Sequence, residues 1–143
     1  MSTKVMLTIR GVQHYDDQEP DTIELLTEGE LSPTEDGWRI SYQETELTGL
    51  VGTTTTFDVH PDLVILERNG ALQSRMVFEK DKRYDSLYQV DVGAFMIGVT
   101  ARRIRWNITE KGGYLDVFYK IDIEGSAQGT VHYHVEAKLP YEE

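Results

Sequence analysis

From Leu115 onward an apolar side chain stands at every second position: Leu115, Val117, Tyr119, Ile121 and Ile123, and again, past Gly125 to Gly129, at Val131, Tyr133, Val135, Ala137 and Leu139. Successive residues of a β-strand face opposite ways, so a period of two gives one face to a core and the other to water. The pattern returns in short runs along the rest of the chain, and no stretch reads as a helix. Such a chain has to build its interior from sheet alone.

Val5, Leu7, Ile9 and Gly11 alternate with Lys4, Thr8 and Arg10, giving a first strand over 4 to 13. His14 to Asp21 is a polar connection too short for a helical hairpin. Ile23, Leu25 and Leu31 mark a second strand, Ser32 to Gly37 a turn, and Trp38, Ile40 and Tyr42 a third strand. Thr53 to His60 is rich in β-branched residues, which suit a pleated surface, and His60-Pro61-Asp62 ends it. Leu63 to Glu67 and Leu72 to Glu79 form a hairpin about Arg68-Asn69-Gly70-Ala71, where Asn-Gly supplies the positive φ of a tight reversal. The charged turn Asp81-Lys82-Arg83 follows, and Leu87 to Val92 runs to a stop at Gly93.

Between Phe95 and Thr109 the apolar face changes parity. Phe95, Ile97, Val99 and Ala101 are odd-numbered, whereas Ile104, Trp106 and Ile108 are even. One strand cannot switch faces without an inserted residue, so the sequence predicts a β-bulge or sharp bend at Ala101 to Arg103. With the bulge, Arg103 and Arg105 point to solvent and Arg102 sits at the bend. Without it, Arg103 and Arg105 would share the inner face with Phe95 and Ile97 and would need carboxylate partners.

Nearly every connection is short enough for a neighbour-to-neighbour hairpin, and about ten strands joined this way make an antiparallel meander. Closing it into a tube removes its two unpaired edges. The expected fold is therefore all-β: one domain, residues 1–143, forming a closed or nearly closed up-and-down barrel of 8–10 strands. A two-sheet sandwich with Greek-key crossings is the alternative architecture.

Gly70, the run Arg75-Met76-Val77-Phe78-Glu79, Tyr88, Gly93, the run Met96-Ile97-Gly98-Val99-Thr100, and Gly113 to Tyr119 carry a likeness along most of the chain. In these residues it resembles the YwiB-like proteins, small bacterial proteins of uncharacterised function with a calycin-type barrel. Where the family pattern has a Thr two residues after the Tyr, this chain has Val90. The resemblance implies fold kinship with lipocalins and fatty-acid-binding proteins, which hold small apolar ligands in the lumen; fold alone does not carry that function over. The lipocalin Gly-x-Trp signature is absent, since Trp38 follows Gly37 directly, and His14 to Asp21 cannot supply the two lid helices of the fatty-acid-binding proteins.

Composition narrows the function classes. A net charge of −11 argues against nucleic acid and against anionic membranes, because both reward Lys and Arg. Nine Asp or Glu residues and no Lys or Arg lie between Arg10 and Arg39, a solvated acidic face or a docking surface for a basic partner. With no cysteine there is no disulfide, thiol nucleophile or thiolate metal site. The alternating N-terminus lacks a signal-peptide core and no run is long enough to span a membrane, so a cytoplasmic location is expected. No cofactor fingerprint, phosphate loop or nucleophile elbow occurs, and no cofactor is expected.

Candidate ligand-binding residues are the tyrosines placed to bring hydroxyls inside, Tyr42, Tyr88, Tyr119 and Tyr133, together with Arg102 at the bend; a buried Tyr needs a hydrogen-bond partner, which packing alone also supplies. His132 and His134 share the outer face of the last strand, a spacing that could ligate zinc or copper. Pairing Val131 with Ile121, however, would set Lys120 and Phe118 opposite them, so no metal site is expected. His60 with Asp91 and His14 with Asp16 are conceivable acid–base pairs. The leading reading is a non-catalytic barrel that binds a small, partly apolar molecule. The alternatives are a protein-interaction module with a packed core and, third, a calycin-type enzyme such as a lyase or isomerase.

Overall fold

The computed structural model describes residues 2–15, 18–46, 48–125 and 127–140, with the backbone alone at 127. They form ten strands: β1 (Thr3–Tyr15), β2 (Asp21–Pro33), β3 (Trp38–Gln43), β4 (Thr54–His60), β5 (Leu63–Asn69), β6 (Ser74–Phe78), β7 (Arg83–Val90), β8 (Gly93–Thr109), β9 (Gly112–Ile123) and β10 (Ala127–Lys138). All lie in one sheet, in the order β6-β5-β4-β3-β2-β1-β10-β9-β8-β7. Every neighbour pair is antiparallel, and the first strand zips to the last from Met6 opposite Lys138 to Tyr15 opposite Gly129. The result is the expected nearly closed meander barrel.

Closure is weakest between β6 and β7. There the backbone ladder survives at the two ends: Gln73 and Gln89 exchange both N–H···O bonds at 2.8 Å, and Glu79 bridges Lys82. Between those ends the strands face each other without a ladder, and the hydroxyls of Ser74 and Ser86, buried along this seam, have no hydrogen-bond partner among the described residues. The Tyr84 hydroxyl donates to Glu79 at 2.7 Å across it.

The parity switch in β8 is the β-bulge read from the sequence. Ala101 pairs with Tyr119 and Arg103 with Phe118, leaving Arg102 as the inserted residue. The bulge has a second use. The Ala101 carbonyl accepts the Asp81 N–H at 2.8 Å, and the Arg102 guanidinium lies 3.4 Å from the Asp81 carboxylate. The irregularity thereby pins the β6–β7 turn.

Some strand boundaries and one register depart from the sequence reading. β7 starts at Arg83 and ends at Val90, with Val92 in the turn. Its inner residues are Tyr84, Ser86 and Tyr88, while Leu87 lies 43% exposed on the outer face; a strand with its aliphatic residue outside hides its own period. β5 runs on to Asn69, so Arg68 belongs to the strand and pairs with Ser74. In the β9–β10 hairpin Ile123 pairs with Ala127, which sets Val131 opposite Tyr119 rather than Ile121.

The two ends of the tube differ in filling. Val5, Leu7, Leu31, Ile40, Val59, Val64, Phe78, Val99 and Leu115 pack one end to near-complete burial. At the other end the inward positions carry Gly11, Gln13, Tyr42, Glu44, Arg68, Tyr88 and Tyr133, and the interior is hollow. Among the described residues no helix is long and apolar enough to cross a membrane.

Candidate functional site

The hollow end comprises two adjoining cavities of about 240 and 410 Å³, whose linings share Gln13, Arg68, Tyr88, Val131 and Tyr133. Met76, Ile97, Ile121 and Ile123 make the larger one mostly apolar. Glu44, Thr48 and Tyr42 make one side of the smaller one polar. Inward positions on alternate residues of eight strands put most of these side chains in one place.

Four sequence-selected residues meet here. Tyr42 and Tyr119 are buried, Tyr88 and Tyr133 half-buried, and each lines at least one cavity. The Tyr119 ring packs on Phe78 with centroids 4.5 Å apart, and the Tyr133 ring meets Phe57 edge-on at 6.2 Å. Gly11 lies opposite Tyr133, and a Cβ there would stand 3.5 Å from its ring, in ordinary van der Waals contact, so a larger side chain at this position would crowd the ring. Burial first, then the nearby Glu44 carboxylate, pushes the Tyr42 phenol well above its ordinary value; burial and then Tyr133 do the same at Tyr119. Both therefore stay protonated, able to donate and to accept.

The fifth residue, Arg102, is elsewhere. Its guanidinium is on the outer surface against Asp81, because the inserted residue of the bulge points away from the lumen.

The cation in the lumen is Arg68, which sequence reading assigned to a turn. Val64, Leu66 and Arg68 alternate inward along β5, and Arg68 is only 9% exposed. Its Nη2 donates to the Tyr133 hydroxyl at 2.9 Å, its Nε has no hydrogen-bond partner among the described residues, and the Glu44 carboxylate stands 3.9 Å from Nε. Burial alone would pull its pKa down, but Tyr133 and Tyr42 more than reverse this, so the group remains a cation. Glu44 is the inward residue after Ile40 and Tyr42, and it accepts hydrogen bonds from Thr48 at 2.8 Å and from Thr55. A parity count carried past the strand ends would have found both.

The remaining candidates lie outside the lumen. His132 faces Phe118 and His134 faces Asp116, since the hairpin is two residues out of the expected register. The Asp116 carboxylate sits 2.8 Å from His132 Nε2 and from His134 Nδ1, and 3.3 Å from Arg103 Nη2. Arg103 also stacks over Phe118 at 5.7 Å, and Arg105 is exposed. No group of three or more His, Asp or Glu side chains fit to hold a metal ion occurs among the described residues. His60 pairs with Asp36 at 2.7 Å and not with Asp91, which belongs to the turn at the hollow end; Asp16 lies outside the described residues.

Fold and cavity together define a class: an antiparallel β-barrel, closed and packed at one end, with a partly polar lumen at the other. Residues 7–135 match the family described as "Domain of unknown function (DUF1934)", and the chain belongs to that family. Among solved structures it is similar to the ywiB protein from Bacillus subtilis, with a TM-score of 0.80 and 21% identity over 94% of this chain and 92% of that one. At that identity the likeness speaks for the fold, and it bears out the YwiB-like resemblance read from the sequence. No curated protein matches the chain.

Proposed function

We propose that the barrel is a binding protein for a small, partly apolar molecule held in the hollow end. The observation that carries this reading is the adjoining pair of cavities, about 240 and 410 Å³, whose apolar walls meet a cluster of tyrosyl hydroxyls and the buried guanidinium of Arg68. Sites for small ligands have this composition: mostly apolar lining, with a few fixed polar groups that orient what enters. Exposed Ile23 and Phe95 stand at the mouth, where an apolar body would first make contact.

A neutral solvatochromic dye tests the reading. Wild-type protein should take up the dye with a blue shift and enhanced emission. Gly11→Leu, which drives a side chain into the wall beside Tyr133, should weaken uptake about tenfold while thermal unfolding stays cooperative. Uptake that ignores the leucine would place the dye elsewhere and defeat the proposal. Absence of uptake would leave the interaction-module reading, favoured by the outward cross-strand pair Leu87 and Met96 on the β7–β8 hairpin.

A further inference from the structure

Arg68 is a buried cation with too few partners. A guanidinium carries five N–H donors and no acceptor, and burying it without acceptors is costly. Among the described residues its one hydrogen bond goes to a neutral phenol, Tyr133, while Nε is fully buried and unpaired. The neighbouring carboxylate does not relieve it: Glu44 is 3.9 Å from Nε and already engaged by the hydroxyls of Thr48 and Thr55. Anion and cation thus differ in one respect. Glu44 is supplied with donors, whereas Arg68 still lacks acceptors, and Arg68 lines both cavities.

Resting on the lumen as a binding site, we propose that Arg68 anchors the carboxylate of an apolar monocarboxylic acid, with the Tyr133 hydroxyl beside it and the acyl body lying along Met76, Ile97 and Ile121 in the larger cavity. A planar two-oxygen head matches the guanidinium fork, and charge-assisted bonds of this type are the strong ones. A phosphate monoester is the poorer fit. It brings close to two negative charges at neutral pH to a site that, among the described residues, is lined by a single cation and, within 4 Å of it, the Glu44 carboxylate. Glu44 then sets the ceiling on affinity: its charge repels the head that Arg68 attracts.

Displacement of the neutral dye from the full chain by decanoate, 1-decanol and decyl phosphate, at pH 8 and fixed salt, tests the assignment. In wild type decanoate should compete at least about tenfold better than decanol, and better than decyl phosphate. Arg68→Gln should erase the preference for the acid while decanol still competes. Glu44→Gln should move the other way, tightening decanoate several-fold with decanol unchanged, and this variant keeps the test sharp if Arg68→Gln does not fold. Equal competition by acid and alcohol, or decanoate affinity unmoved or weakened in Glu44→Gln, overturns the anchor while leaving the lumen as a binding site. Decyl phosphate outcompeting decanoate overturns the choice of head group. A barrel that takes up neither dye nor decanol removes the site and the anchor together.

Discussion

Asp116 shows how one residue joins three others. It is buried on the outer face of β9, where its carboxylate receives His132, His134 and Arg103, and His134 is further tied to Glu136 at 3.2 Å. Burial tends to raise its pKa, but the hydrogen bonds from His134 and His132 outweigh that and hold it below the ordinary value of 3.8. A carboxyl whose folded pKa is depressed stabilises the fold fully above its unfolded value and loses that contribution as pH falls through the folded one. Asp116→Asn should therefore cost about 1–3 kcal/mol at pH 7, measured by urea unfolding, because the charge is lost and one of the two acceptor oxygens facing the imidazoles and the guanidinium becomes an amide donor. The gap from wild type should narrow as pH drops below 3.8. A gap that stays constant down to pH 2 would show that the carboxylate charge is not what the cluster uses. This site was half legible in the sequence. Alternation puts His132 and His134 on the outer face whatever their partners, but a two-residue slip preserves every face and changes every neighbour. The slip is settled by the short turn at Glu124 and Gly125, both at positive φ, and not by hydrophobicity.

At the scale of the element, the bulge in β8 was legible because an apolar face had to change parity, and hydrophobic period reports parity directly. Arg68 and Glu44 were missed for the converse reason. Polar residues at inward positions near strand ends look like turns, and β7, with Tyr84, Ser86 and Tyr88 inside and Leu87 outside, reverses the rule that the apolar side is the buried one. A hollow, hydroxyl-lined lumen is where that rule breaks. The bulge makes a deletion prediction. Removing Arg102 leaves Ala101 inward opposite Tyr119 and Arg103 outward opposite Phe118, so the register on both sides survives. What is lost is the distortion that lets the Ala101 carbonyl and Arg102 hold Asp81. The deletion of Arg102 should fold, with its far-ultraviolet β signal intact and stability lower by about 1–3 kcal/mol. Deleting Thr100 instead would turn Ile97 and Val99 outward and should abolish cooperative folding. Equal damage from the two deletions would sink the account of Arg102 as the inserted residue.

Across the whole molecule, the sequence carried the order of the strands, since short connections leave an antiparallel meander few alternatives, and the structure adds how unevenly the tube is sealed. The chain ends meet in the β1–β10 ladder, from Met6–Lys138 to Tyr15–Gly129, which commits the last strand to the first and makes closure a long-range event. The β6–β7 seam joins neighbours in sequence yet keeps backbone bonds only near Gln73–Gln89 and Glu79–Lys82. Alternation cannot reveal this, because Ser74, Met76, Tyr84 and Ser86 point inward whether or not their backbones pair. Local opening follows the weakest ladder, and the seam borders the larger cavity through Met76 and Tyr88. Amide exchange should show it: the seam-facing amides of β6 and β7 should exchange at least about a hundredfold faster than the paired amides at the centre of β1 and β10 under native conditions. A ligand that occupies the lumen should slow the seam more than the packed end, because it lends Met76 and Tyr88 a contact they otherwise lack. Uniform protection around the barrel would mean that the seam is held as firmly as the ladder.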